Sequence, residues 1–497
     1  MTDEPPAPPP FMAPPAPFPP PPAPAPSRRR RSVIILAAIV VGLVGVASIA
    51  IVVADDGDDP PSRWDPRVAR FVPFVESHRG LKFKHPVPVV FMSETEFREE
   101  VSGSNNDLTD DEREDIESYE KLFRALGLLE PGLDLFEEYD ELDQAGTLAF
   151  FDQYDERIVI RGTEITLGLE VTIVHELTHA LQHQHFDLTR FDDDESTSGQ
   201  YTGFTTLIEG DAQRIEYEYI NSFDDAELAA FEEEYAATFD AASIDDAPPI
   251  LTAFFGLPYE FGDALTAVLA FEGGNSAVNK AFRRPPSSEE HLLDPWSFLQ
   301  TDEPIEVKTP KLRDGEEEID HDDFGALTWY LMLAERIDPR QALEAADGWG
   351  GDAYVLFEDG AVTCTRVAFR GDRDQDGNEM AAAARAWAKE MPDGIASVSR
   401  NGKLVLVESC DPGAESDLEV PGLSGDLLGL PLTRIFIALG QIGEGASVEE
   451  GKCTGAEFVD RLSDEQVLTI SEFLYAAEPD PEFEDILGEA AQACGRA

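Results

Sequence analysis

The chain is 497 residues long, with 37 Lys+Arg against 100 Asp+Glu and a formal net charge of −63 at pH 7. So large a carboxylate excess repels phosphate backbones and excludes a nucleic-acid clamp; it favours cationic partners or metal ions and otherwise reads as a solvated acidic surface. With 42% hydrophobic residues, the chain can bury sizeable cores in roughly two to four units.

Residues 1–26 carry 14 prolines and little that packs, so 1–31 reads as a disordered Pro-rich tail, a candidate docking strip for a partner. Arg28 to Arg31 then precede an uncharged apolar run over residues 32–54, long enough to cross about 30 Å of hydrocarbon at about 1.5 Å per residue. This predicts one N-terminal transmembrane helix. The arginines before it and Asp55-Asp56 after it predict a single-pass cell-membrane protein, with the N-terminus cytoplasmic and the main domain extracellular. A cleaved signal peptide competes, with Val52-Val53-Ala54 loosely suited to cleavage. Against it, the leader is long and Pro-rich and the apolar run exceeds the usual signal length.

Between residues 60 and 140, Val87 to Phe91 reads as a strand and Asp110 to Leu129 as an amphipathic helix. Thr147 to Phe151 and Arg157 to Arg161 form a predicted β-hairpin around Asp152 to Glu156. A helix follows from about Thr166 to Phe186, where Leu167, Val171, Val174, Thr178 and Leu181 recur at three- and four-residue steps. A second starts near Thr205, with Ile208, Ala212, Ile215 and Tyr219 as its apolar stripe. Phe261 to Phe282, carrying Gly273-Gly274, and residues 324–346 read as further helices. Beyond Gly348 the pattern turns to strands with hairpin turns at Asp359-Gly360 and Asn401-Gly402 and a helix near Met380 to Glu390.

The domain reading is therefore 55–346 for one domain and 347–497 for a C-terminal α+β lobe. Cys364, Cys410, Cys453 and Cys494 all lie in the last third. Their sequence-local pairings are Cys364–Cys410 and Cys453–Cys494, among three connectivities, and disulfides suit an oxidising compartment.

The chemistry sits in the segment HELTHALQHQHFD, which gathers His175, Glu176, His179, His183 and His185. On a helix, His175 and His179 stand one turn apart on one face. Both imidazoles reach one ion while Glu176 stands beside them, the spacing of zinc hydrolases. A catalytic zinc takes three protein ligands and keeps one open position. His183, eight residues after His175, rises about 12 Å along a straight helix, too far for the same ion. His185 falls where HExxHxxGxxH places its third histidine, but Gln182 stands where that pattern turns on glycine. Glu209, in TLIEGDAQ on the next predicted helix, is the better third ligand, with Gly210 and Ala212 small enough for close approach to the first helix. A solvated His-rich helix face is the bland alternative.

An HExxH helix followed by a helix bearing glutamate resembles the gluzincin zinc metallopeptidases, and IEGDA is similar to their NEGxA-type ligand segment. The chain is closer still to a group of poorly characterised bacterial proteins with HELTHALQDQ and EGDA motifs, a YDP-like hairpin, a PPxSTEQ stretch and a GWGGD segment. Here these look like Phe151-Asp152, Pro285-Pro286-Ser287-Ser288-Glu289-Glu290 and Gly348-Trp349-Gly350-Gly351-Asp352. The likeness spans about residues 145–360, discontinuously. His183 replaces that group's aspartate, and His291 and Asp294 stand where it has glutamine and histidine.

The resemblance implies a zincin-like metallopeptidase core within an α+β fold, with Zn2+ held by His175, His179 and Glu209, Glu176 as general base, and a peptide or protein substrate. By the same analogy the strand Arg157 to Arg161 would pair with extended substrate. Tyr259, His291 and His321 are candidate oxyanion donors. Two rivals stand beside this expectation: a non-catalytic, zinc-stabilised cell-surface binding or sensing protein, and a metal-dependent hydrolase of a non-peptide amide.

Overall fold

The computed structural model describes residues 60–106, 110–139, 147–191, 196–240, 247–414, 416, 418–423, 427–470 and 481–495. Among them no helix is long and apolar enough to cross a membrane. The expected membrane anchor and the single-pass, outward-facing placement built on it are therefore withdrawn; the tail 1–31 and the run 32–54 lie outside the described residues. The fold is corrected to a mixed α/β architecture with two sheets. It differs from segregated α+β because one sheet contains a parallel pair, which needs a long crossover.

In the first unit, which runs to Leu432, α1 (Val72–Arg79) leads to β1 (Val89–Met92), followed by α2 (Glu94–Asn106), α3 (Asp110–Ala125), β2 (Ala149–Asp152) and β3 (Arg157–Arg161). The strand order is β1-β3-β2. β2 and β3 form the expected antiparallel hairpin, with Phe151 opposite Ile158, while β1 runs parallel to β3, with Val90 opposite Val159. Ile158, Val159 and Ile160 are fully buried, as suits β-branched residues in a strand covered on both faces.

The strand period of two sorts the side chains between two layers. Ala149, Phe151, Ile158 and Ile160 pack with Ile173, Val174, Leu177 and Leu181 of α4 (Leu167–Phe186). On the opposite face, Phe150 and Val159 meet Phe97 and Val101 of α2. Thr166 caps α4 by accepting from Leu169 N–H at 3.3 Å.

Next come α5 (Ser198–Ile220), opened by a Thr197/Gln200 capping box, then α6 (Asp225–Asp240) and α7 (Pro249–Arg283). α7 starts twelve residues before the expected Phe261 and breaks at Gly273-Gly274, where Gly274 takes φ 56°. α5 crosses α7 at glycine on glycine: a Cβ on Gly210 would stand 2.1 Å from the Gly262 carbonyl oxygen, and one on Gly262 would stand 2.6 Å from that of Thr206. Gly210 thus serves the α5–α7 crossing. The expectation that it lets α5 approach α4 is corrected.

The segment then runs through α8 (Glu290–Leu293), α9 (Pro295–Gln300), β4 (Glu316–Asp322), α10 (Ala326–Ala334), α11 (Pro339–Asp347), β5 (Trp349–Asp359), β6 (Val362–Gly371), α12 (Asp374–Glu390), β7 (Ala396–Asn401) and β8 (Leu404–Cys410). The second sheet has the order β4-β5-β6-β8-β7 and is antiparallel throughout. Gly360 and Gly402, at φ 70° and 62°, open its two-residue hairpin turns. A disulfide links Cys364 and Cys410 across directly paired positions of β6 and β8. Because β4 pairs with β5, the expected boundary at 346/347 falls inside this sheet.

The PPSSEE and GWGGD segments have a structural role here. Glu289 accepts from the N–H groups of Leu327 at 2.8 Å and Thr328 at 3.3 Å, at the start of α10. Asp352 accepts from Phe324 N–H, Gly325 N–H and the indoles of Trp329 and Trp349, all within 3.0 Å. Both carboxylates satisfy backbone donors left open at a helix N-terminus. Asp322 and Asp323 do the same for α5, accepting from Ser198 and from Gly199 and the Thr197 hydroxyl. They hold the end of the helix that carries Glu209.

The second unit, from Thr433, follows α13 (Gly429–Gly443) with α14 (Val448–Arg461), α15 (Asp464–Leu468) and α16 (Pro481–Ala493). Its disulfide joins Cys453 to Cys494.

Candidate metal centre

α4 and α5 pack side by side and turn three side chains toward one point. His175 Nε2 lies 3.2 Å and His179 Nε2 3.3 Å from the same Glu209 oxygen, Oε2. The three residues offer ligand atoms that all lie within 4.8 Å of one another, a geometry able to hold one metal ion. The imidazole rings meet edge-on, with centroids 4.6 Å apart, as the one-turn spacing of HExxH requires. All three side chains are less than a tenth exposed.

The donor set fits a divalent ion on a second count. His175 Nδ1 stands 2.9 Å from Glu216 Oε2. A carboxylate only accepts, so Nδ1 carries the proton and Nε2 faces the cluster, the carboxylate–histidine arrangement that orients metal ligands. Burial depresses the His175 imidazole, but Glu209 and Glu216 outweigh it and push it up to about 10. Burial likewise raises the Glu209 carboxyl, yet His179 and His175 hold it down at about 2. Glu209 is therefore an anion between two imidazoles.

Glu176 sits one residue from the first ligand and is 1% exposed. The Phe151 backbone N–H of β2 faces its carboxyl and pulls it down slightly. Its Oε1 is buried with no hydrogen-bond partner among the described residues, a costly condition that marks an oxygen with something still to bind. Burial pushes its carboxyl up to about 7, against the pull of His179 and His175. Such a group is poised to exchange a proton near neutral pH.

Of the three candidate oxyanion donors, only Tyr259 of α7 is joined to this cluster. The residue is 2% exposed, and burial, then the charges of Glu209 and Glu176, drive its hydroxyl well above the usual phenol range. His291 is committed elsewhere, with Nε2 donating to Asp302 O at 2.7 Å and Nδ1 accepting from Ser287 N–H at 3.2 Å. His321 pairs with Glu318 on exposed β4. His185 points its Nε2 at Lys82 O, 2.8 Å away, and His183 packs its ring on Phe151. Neither joins the cluster.

The expectation that β3 receives extended substrate is corrected: β1 and β2 flank it on both sides. β2 is the edge strand nearest α4, and its Phe151 N–H points outward to Glu176. A second trio, Glu290, Asp302 and Asp372, also lies within 4.8 Å, but it has no imidazole and Asp302 and Asp372 are solvent-exposed.

Sequence reasoning missed Glu216, although it lies seven residues after Glu209 and so on the same face two turns along. It also passed over Gln182 except as a departure from glycine.

A family model described as a domain of unknown function, DUF8575, matches residues 311–418, the stretch that holds β4 to β8 and α10 to α12 and none of the metal-centre residues. No curated protein and no solved structure matches the chain.

Proposed function

We propose that the chain is a zinc-dependent metallopeptidase, gluzincin-like, in which His175, His179 and Glu209 hold the ion and Glu176 is the general base. The observation that carries this is the meeting of two imidazole Nε2 atoms and one carboxylate oxygen beside a buried carboxylate oxygen without a partner. Two nitrogens and a carboxylate suit zinc with one position left for water, whereas structural zinc is usually closed by four protein ligands. When bound, the ion supplies a Lewis acid that acidifies water and polarises a carbonyl.

The chain's own residues do the rest. Glu176 Oε1 takes the proton of the attacking water, then returns it to the leaving amine. The Tyr259 hydroxyl, released from Glu209, donates to the oxygen on which charge develops. Tyr259→Phe is expected to lower kcat on peptides by about 10²-fold or more, the scale of a lost oxyanion donor, with metal content unchanged. Stopped-assay kinetics beside elemental analysis check this. The outer edge of β2 is the place where an extended peptide would pair.

Burial favours one rival, a zinc site that only stabilises a binding protein, since every ligand is less than a tenth exposed. Metal analysis tests the ligand set shared by both. His175→Ala and Glu209→Ala are expected to lose most bound zinc, and His185→Ala to keep it. Full zinc in Glu209→Ala would remove the assignment.

A further inference from the structure

We infer that Gln182 is the positioning residue of the metal centre: its side-chain amide fixes which nitrogen of His179 faces the ion and ties α4 to the turn of α5 that carries Glu209. This rests on the metal-site reading. Gln182 is fully buried. Its Nε2 lies 3.0 Å from the Ile208 carbonyl oxygen and 3.0 Å from Asp211 Oδ2, and its Oε1 lies 3.0 Å from His179 Nδ1.

The chemistry of the neighbours settles the orientation. A backbone carbonyl and a carboxylate only accept, so the amide must turn its NH2 to both of them. Its oxygen is then left facing His179, and an amide oxygen also only accepts. His179 Nδ1 therefore carries a proton, and Nε2 is the nitrogen that faces Glu209.

Asp211 is itself immobilised. Arg79 Nε lies 2.5 Å from Oδ2 and Arg214 Nη2 2.8 Å from Oδ1, and both Arg79 and Asp211 are fully buried. With a guanidinium at each oxygen, the Asp211 carboxylate acts as an acceptor. A chain of contacts thus runs from Arg79 at the end of α1, through Asp211 and Gln182, to a metal ligand. Because Ile208 precedes Glu209, the same amide holds the backbone beside the third ligand. The glycine of the HExxHxxG pattern is replaced here by a residue that keeps the helix going and braces it.

The test uses the full chain with 15N-labelled histidine, metal-free and zinc-loaded. In wild type the His179 Nδ1 proton is expected to be present and protected from solvent exchange in both forms. Gln182→Met should lose that protection and weaken zinc, measured by competition with a chromophoric chelator, by about 10- to 100-fold, the usual cost of removing such a partner. Gln182→Glu keeps an acceptor for Nδ1 but loses the NH2 that donates to Ile208 O and Asp211, and should keep the protected proton while weakening zinc.

An unprotected or absent Nδ1 proton in wild type, which needs no variant to fold, would overturn the proposal. So would wild-type zinc affinity in Gln182→Met. Failure of wild type to bind zinc, with the Nδ1 proton protected, would instead sink the metal-site reading and leave the Gln182–His179 bond standing.

Discussion

Glu176→Gln is expected to retain zinc and to lose hydrolysis. The amide has the same shape, keeps an oxygen for the Phe151 N–H, and adds no charge to a residue that is 1% exposed. What it removes is the basic oxygen. Loss of a positioned general base costs about 10²- to 10⁴-fold, so kcat/KM on a broad peptide library should fall by that factor while zinc stays at the wild-type level. Equal activity in the two proteins would remove the hydrolase proposal. If wild type cleaves no peptide while both proteins hold zinc, a stabilising metal in a binding protein becomes the better account. Cleavage of a non-peptide amide by wild type alone would keep the mechanism and change the substrate.

Gly210→Ala is expected to be among the most damaging small substitutions in the chain. Its Cβ would stand 2.1 Å from the Gly262 carbonyl oxygen and 2.5 Å from the Gly262 Cα. These are backbone atoms of a packed helix, so no side chain can swing aside; α5 and α7 must separate. Overpacking of this kind costs about 3 kcal/mol or more. Glu209 is the adjacent residue on α5 and Tyr259 lies on α7. The separation therefore moves Glu209 away from the Tyr259 hydroxyl that faces it. Denaturant midpoints should drop sharply and zinc should bind more weakly. Gly488→Ala is the control, since a Cβ there meets nothing within 4 Å on α16. It should be neutral or stabilising by up to about 1 kcal/mol, the helix-propensity difference. A Gly210→Ala protein as stable as wild type would contradict the glycine-on-glycine crossing.

Local periodicity carried much of the local structure. The apolar recurrence from Thr166 to Phe186 marked α4 to within a residue, and the His175–His179 spacing put both rings on one face because four residues make nearly one turn. Glu209 was legible through its small neighbours, but the reason given for them was wrong: Gly210 faces α7, and nothing in a single helix's sequence states which neighbour it touches.

Long-range strand pairing, unlike the local hairpins, was illegible for the same cause. Arg157 to Arg161 reads as a strand, yet its place between β1 and β2 depends on a partner sixty-nine residues upstream, Val89 opposite Ile158. Gln182, Glu216, Asp211 and Arg79 look ordinary in sequence, since what distinguishes them is burial and long-range hydrogen bonding. PPSSEE and GWGGD drew notice as motifs, and the structure gives their carboxylates to helix N-termini.

Zinc K-edge absorption on the zinc-loaded full chain reports whether one divalent ion sits between His175, His179 and Glu209. One zinc per chain is expected, with two imidazole nitrogens and otherwise oxygen neighbours at about 2.0–2.2 Å, and no sulfur. A chain that retains no zinc, or a zinc whose neighbours do not change in Glu209→Ala, would contradict it.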